Sequence, residues 1–532
     1  MKRRGFLTAL VLATAVTVAG LPGAQAANPA PKGQRPLNIA QFDAAIKSIS
    51  TARVAELDKA LTTATIPQMQ QLFQQGKLTS EELVKYYLWR IQRYDLNKLN
   101  SVTELNPDAL EIARQLDAER KAGTVRGPLH GTAVLLIDVI GTGDKLHNTA
   151  GALVLAEAKS DRDAFVVKRL REAGVIILGK TALTEWTGFI AYNQVQGYST
   201  LGGQVANPYN KKTDPWGSST GSAVATAANF TTFALGEETF GALTTPAVAN
   251  GVVTLKPSMG LISRDRLIPN LPAHDTIGPM TRNVTDLALV TEALVAADSN
   301  DPTTSAASTA QKDFAQNLDA NGLRGKRVGL LPPASPADKA MHDKMTQVLK
   351  QLGAQVVPLP KQPDLIPAVF TELDPINAYG FKTGVEQYLK DTNAPVKTFK
   401  EIVAFNDQDP KTRVYYGQEY LQMAATLTMT QSEYDSGLQA LNAKMQKQID
   451  DLLTGNTLDL IAGTHLALPF ALYYAAAGYP AVAVPIGYRA DGSPIGFVLT
   501  AKRFDDAKLI KAAYALEQQM KAWRAPNLSK WK

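Results

Sequence analysis

The sequence predicts an α/β fold, and three stretches carry that expectation. Ala133-Val134-Leu135-Leu136-Ile137 and Val175-Ile176-Ile177-Leu178 are uninterrupted apolar runs, the pattern of strands buried on both faces. The helical stretch 162–173 (DRDAFVVKRLRE) lies between them, giving strand–helix–strand order. Val328–Leu331, a helical stretch near 337–352 and Gln355–Val357 repeat the alternation.

Taken in order, residues 1–26 have the composition of a leader. Lys2-Arg3-Arg4 comes first, then the apolar stretch Phe6–Leu21, then Ala24-Gln25-Ala26, an A-x-A cleavage pattern. The apolar stretch is shorter than the ~20 residues a bilayer span needs. Arg3-Arg4-Gly5-Phe6-Leu7 is similar to a twin-arginine export signal. The expectation is a bacterial periplasmic or secreted protein, exported by the Sec or twin-arginine route, with no membrane span after leader removal. Residues 27–36 read as a linker and 37–530 as one domain. Within it, 38–123 reads as helical, with Thr79-Ser80-Glu81-Glu82 as a capping box. A variable, mainly helical segment covers about 300–455. The chain returns to strands at Leu458–Ile461, Ala481–Pro485 and Gly496–Thr500, with Asp491-Gly492 turning between the last two.

Composition narrows the chemistry. With 45% hydrophobic and 20% charged residues among 532, this is an ordinary globular chain rather than a disordered one. The absence of cysteine removes disulfides, thiolate metal sites and a cysteine nucleophile. Five histidines (130, 147, 274, 342, 465) are never three or four residues apart, so no HExxH zinc motif exists. Any enzyme here must work mainly with hydroxyls, carboxylates, lysines or a bound cofactor. The net charge is +6, of which three belong to Lys2, Arg3 and Arg4, and no run of five like charges occurs. That pattern argues against nucleic-acid binding.

One motif is false. Gly174–Thr181 matches GxxxxGK[ST], but its middle residues Val-Ile-Ile-Leu are the strand itself, not a flexible phosphate-cradling loop. A second stretch is informative. Gly217-Ser218-Ser219-Thr220-Gly221-Ser222-Ala223 precedes an Ala-rich stretch and then Gly236-Glu237-Glu238-Thr239-Phe240-Gly241-Ala242. A Gly/Ser turn opening a helix offers N–H donors to an anion, or merely lets helix and sheet pack closely.

Together with GPLHGTAVLLIDVI (127–140), NTAG (148–151), DAFVVKRLREAGVIILGKTALTEW (163–186), GGQVANPYN (202–210), GLISRDRLIP (260–269), DTIGPMTRNVTD (275–286) and AGYPAVAVPIGY (477–488), these stretches resemble the amidase signature family over nearly the whole chain. The resemblance implies one α/β/α domain with a mixed, twisted central sheet surrounded by helices. It also implies amide hydrolysis by two serines and a lysine, with no metal and no organic cofactor. One serine attacks, a second relays the proton, and a buried lysine is base and then acid. Loop N–H groups hold the oxyanion. Tyr416-Gly417-Gln418-Glu419 resembles a family landmark near the substrate funnel.

Mapped residue by residue, the relay serine falls on Ser218 and is retained. The lysine position is Ile137 and the nucleophile position is Ala242, so both are lost. No lysine occurs between 122 and 144 and no serine between 223 and 257, so no shift of alignment restores either. Thr239, Phe240 and Gly241 take the oxyanion-loop positions, beside Ser219. Phe240 stands where the family carries a smaller residue, and its ring has the size to fill the space of the scissile group. The expectation is a pseudo-amidase that binds a small amide, a peptide or a protein without cleaving it. The alternatives are a hydrolase using a substitute hydroxyl (Ser218, Thr239, Thr244 or Thr245) with Asp138, Glu237, Glu238 or His147 as base, and a structural role in the cell envelope. For His147 a surface-loop position is expected, and for Asp138 a hydrogen bond to nearby backbone.

Overall fold

The computed structural model describes residues 31–310, 312–333, 335–362, 366–464 and 468–531. Residues 1–26, read as a leader, lie outside them, as do His465 and the first part of the 27–36 linker.

Among the described residues thirteen strands are formed: β1 (Val102–Leu105), β2 (Ala133–Ile137), β3 (Ile176–Thr181), β4 (Tyr198–Ser199), β5 (Gly203–Gln204), β6 (Phe233–Glu238), β7 (Val253–Lys256), β8 (Thr276–Thr281), β9 (Arg327–Leu330), β10 (Gln355–Pro358), β11 (Leu460–Gly463), β12 (Ala481–Tyr488) and β13 (Pro494–Thr500). Eleven make one mixed sheet in the order β1-β3-β2-β6-β8-β7-β12-β13-β11-β9-β10, while β4 and β5 pair separately. β2 runs parallel to both β3 and β6, and β9 runs parallel to β10 and β11. The remaining neighbours are antiparallel.

The apolar runs explain why β2 and β3 sit inside. Ala133 and Leu135 join the apolar cluster built by the N-terminal helices, including Leu83, Tyr87 and Leu116. Val134, Leu136 and Ile137 join the opposite cluster, with Val167 of helix Phe165–Glu172 and Leu287 of helix Val284–Leu294. A third cluster packs helix Thr220–Ala227 and the segment after β6 against Tyr473, Tyr474 and the long helix Gln431–Gly455. The mainly helical region contains helices at 366–391, 399–407, 410–413, 419–426 and 431–455. The turn at Asp491-Gly492 joins β12 to β13, with Gly492 at φ +86° and Ser493 N donating to Asp491 Oδ1 at 2.9 Å.

Two local expectations change. The stretch 38–123 is not wholly helical: Val102–Leu105 forms edge strand β1, antiparallel to β3. Thr79 caps its helix by accepting from Glu82 N at 3.1 Å, but the box is not closed. The Glu82 carboxylate is held instead by Arg53, at 2.7 and 2.8 Å. The false phosphate motif is part of the core. Lys180 is fully buried on β3 and its ammonium donates to Ile140 O at 2.6 Å and Asn148 Oδ1 at 3.3 Å. Among the described residues, no helix is long and apolar enough to cross a membrane, and no cluster of three or more His, Asp or Glu is placed to hold a metal.

Candidate functional site

The site forms where three segments meet at the ends of β2 and β6. Leu136 pairs with Leu235, so Ile137 ends β2 beside the point where β6 runs on through Gly236 and Glu237. The turn 217–219 leads into helix Thr220–Ala227 and lies against the loop that follows β6. Both packings require small residues. A Cβ on Gly221 would meet Ala182 O at 2.4 Å, and one on Gly236 would meet Leu243 Cδ2 at 2.6 Å and Ser219 Cβ at 2.8 Å.

Ser219 stitches turn to strand. Its hydroxyl donates to Glu237 O at 2.7 Å and accepts from Glu237 N at 3.0 Å, while its N–H donates to Ala242 O at 3.2 Å. Thr245 adds a second tie, with its hydroxyl 2.7 Å from Gly241 O and 3.2 Å from Gly217 O. The Gly217–Ser218 peptide is cis. The Ser218 carbonyl accepts from Thr184 N at 3.1 Å, whereas its buried hydroxyl has no hydrogen-bond partner among the described residues.

Behind the loop lies a carboxyl network. β6 and β8 are antiparallel with Glu237 opposite Ile277 and Glu238 opposite Thr276, which brings Thr239 to Asp275. The Thr239 hydroxyl lies 2.8 Å from Asp275 Oδ1 and 3.2 Å from Glu237 Oε1. Asp275 also accepts from Asn270 N and Leu271 N, at 2.9 and 3.0 Å. One hydroxyl proton cannot serve two ionised carboxylates at once. Burial, and then the negative charge of Asp275, push the Glu237 carboxyl far above its ordinary range, so Glu237 carries the extra proton. Glu238 instead closes the loop, its Oε2 accepting from Leu243 N at 2.8 Å and Thr244 N at 3.0 Å. The Thr244 hydroxyl is bonded to Tyr474 OH at 2.8 Å.

The expected site residues occupy different environments. Ile137 is fully buried in the core, and Ala242 is partly exposed on the loop. Phe240 is half-buried, with its ring edge-on to His274 at 5.1 Å between centroids. His274 Nε2 lies 2.6 Å from Asn442 Oδ1, and burial lowers its pKa to about 4, so the imidazole is neutral. Among the described residues, no acceptor meets the backbone N–H of Phe240, Gly241 or Ala242. Three consecutive backbone donors on this loop are therefore left without an acceptor among the described residues.

The substitute bases fare worse. Asp138 is spent on Thr149, accepting from its N–H at 3.1 Å and from its hydroxyl. Burial raises its pKa to about 6. His147 is not a free surface residue. Its Nδ1 is 2.6 Å from Glu104 Oε1 on β1, and its side chain is largely covered. The Glu237–Thr239–Asp275 chain, Tyr474 and the His274–Asn442 pair went unread in the sequence. The one available signal was two adjacent glutamates at the end of an apolar run.

A family model described as Amidase matches residues 82–510. A protein named as a probable amidase from Arabidopsis thaliana is 36% identical over 491 residues, covering 89% of this chain and 94% of that one. A putative amidase from Schizosaccharomyces pombe is 32% identical over 520 residues, covering 88% and 87%. The X-ray structure of peptide amidase from Stenotrophomonas maltophilia superposes with a TM-score of 0.82 at 36% identity, covering 88% of this chain and 99% of that one. A bacterial periplasmic or secreted location does not hold. The two relatives named above are a plant and a fission-yeast protein, and the residues read as a leader lie outside the described structure. A basic start followed by an apolar stretch is a composition shared by many N-termini and fixes no route.

Proposed function

Since this chain belongs to the amidase family, we propose that it is a member that holds an amide without cutting it, with a peptide carboxamide as the ligand class. The observation that carries this reading is the pair Ile137 and Ala242: neither an amine nor a hydroxyl stands where the family's chemistry needs one. Losing the nucleophile of a hydrolytic triad costs about 10⁶ in kcat. An oxyanion cradle and binding alone retain roughly 10³–10⁴ over water, too little for an amide. Apart from Ser218, the nearby hydroxyls and carboxyls do not replace the pair. Protonated Glu237 is no base at neutral pH, Glu238 closes the loop, and the hydroxyls of Thr239, Thr244 and Thr245 are all engaged. The unmet N–H groups of residues 240–242 support retained recognition of a carbonyl oxygen. The likeness to a peptide amidase supports the ligand class.

A second reading has one observation in its favour. The Ser218 hydroxyl is unpartnered beside that cradle, as a substitute nucleophile would be. The two separate on treatment with a serine-reactive fluorophosphonate, read by intact mass. The natural protein and an Ile137→Lys, Phe240→Gly, Ala242→Ser variant are compared. An adduct on the variant alone, with peptide amides raising the Tm of the natural protein, is expected. An adduct on the natural protein that maps to Ser218 would replace the binding reading with the hydrolytic one.

A further inference from the structure

A cavity of about 350 Å³, the size of a small-molecule site, lies between segment 264–275 and helix Ile366–Asp391. Segment 264–268 runs along the residues that follow β2: Gly141 N donates to Arg266 O at 3.0 Å, and Ile268 N donates to Val139 O at 2.8 Å. This placement holds Arg266 at φ +59°, a left-handed conformation that is costly for a long side chain. Arg266 lines the cavity and its side chain is 15% exposed. Its Nη2 donates to Asp161 at 2.9 Å, while its buried Nε has no acceptor among the described residues. Tyr388, buried on the facing helix, lines the same cavity. Lys180 orients its hydroxyl through Asn148. The buried ammonium donates to Asn148 Oδ1 at 3.3 Å, so the amide presents Nδ2 to Tyr388 and donates to the phenol oxygen at 2.7 Å. The phenol is the acceptor in that bond, and its own proton meets no acceptor among the described residues. Burial pushes the Tyr388 pKa up to about 12, so the proton stays on, and the charge of nearby Arg266 is felt at the same hydroxyl. The acids around the cavity are engaged. Asp265 accepts from Arg162 Nη2 at 2.7 Å, and Asp301 from Arg264 Nε and Nη2, both at 2.9 Å. Asp275 takes two backbone N–H groups and the Thr239 hydroxyl. Asp391 is exposed and accepts from Gln387 at 2.8 Å. The buried polar groups left unmet at this cavity are therefore donors.

We propose that this cavity is a separate ligand site that takes a small carboxylate, with Arg266 and Tyr388 as its donors. A guanidinium and a phenol both make their strongest hydrogen bonds to an ionised oxygen, and a carboxylate has two such oxygens to offer them. Leu267, Pro269 and Pro272 supply apolar wall, which suits a carboxylate carried on a short hydrocarbon body rather than a bare inorganic anion. A left-handed arginine with a buried, unmet N–H is costly in the free protein, and a bound carboxylate satisfies it. The site stands independently of what positions 137 and 242 do.

The test is calorimetric titration of the full chain with sodium hexanoate, 1-hexanol and inorganic phosphate. The natural protein, Arg266→Gly and Tyr388→Phe are compared, with Tm measured for each. Hexanoate should bind with a Kd of about 1 mM or tighter, and hexanol roughly tenfold more weakly or worse. Glycine suits the left-handed backbone at 266, and the pair with Asp161 lies near the surface, so Arg266→Gly should keep its Tm. Its hexanoate affinity should fall about tenfold or more. Tyr388→Phe leaves the arginine and its ion pair in place, and it should weaken hexanoate about fivefold. Absence of hexanoate binding, binding that neither variant weakens, or phosphate binding as tight as that of hexanoate overturns the proposal.

Discussion

Ser219 and Ile137 flank the same strand, β6, and show what two kinds of residue do at one site. Ser219 ties turn to strand and loop, bonding both backbone groups of Glu237 and Ala242 O, and Thr245 adds bonds to residues 217 and 241. Ile137 makes no such ties, and its side chain lies in the apolar cluster with Leu136 and Leu235, while the hydroxyl of Thr181 opposite it on β3 is bonded to Ser222. One region is a tightly tied loop, and the other holds neither an amine nor a hydroxyl at position 137. The two are therefore held by different interactions. Loop shape depends on hydrogen bonds between backbone and short side chains, which do not need the reacting groups.

Restoring one charge alone gives the largest effect. Ile137→Lys, made without Ala242→Ser, puts an ammonium at a fully buried position within the apolar cluster of β2. It should cost about 3–5 kcal/mol in chemical denaturation. A loss under about 1 kcal/mol would mean that polar partners already wait at the end of β2, and the contrast between the two regions would weaken. Ser219→Ala comes next. It leaves Glu237 N without its acceptor and removes a donor from Glu237 O, both buried. About 2–3 kcal/mol of stability should go. Binding of N-acetyl amino acid amides should fall with it, because the loop N–H groups lose their register.

The two regions were unequally legible in the sequence. β2 and β3 could be read because a strand buried on both faces is apolar without a break. The β12–β13 hairpin could be read from its turn. β1 could not: Val102–Leu105 is four residues long, with Thr103 and Glu104 half-exposed in the middle, and it follows a helical stretch. Missing β1 hid the partner of His147, since Glu104 lies on that strand. Positions 137, 218 and 242 were visible as letters because each is fixed by its neighbours in the chain. The Glu237–Thr239–Asp275 network was not, because Thr239 and Asp275 are brought together only by the antiparallel register of β6 and β8. Tertiary hydrogen bonds across strands leave no local pattern.

That network gives the smallest and most specific way to sharpen the contrast. The Glu237 carboxyl has its pKa raised in the folded state, first by burial and then by Asp275. The native protein therefore holds this proton more tightly than the unfolded chain does. The stability it contributes is complete below the unfolded carboxyl pKa of roughly 4.3. It is lost as pH rises toward the folded value, so stability should fall with rising pH across the neutral range. Other buried carboxyls act in the same direction, notably Glu185, which is pushed up to about 8 by desolvation. The comparison that isolates Glu237 is with Glu237→Gln, which keeps a neutral, hydrogen-bonding side chain at every pH. Between pH 5 and 8 the natural protein should lose at least ~1.4 kcal/mol more than the variant, the equivalent of one pKa unit. Parallel curves would show that Glu237 is already ionised, and that a base stands at the cradle after all.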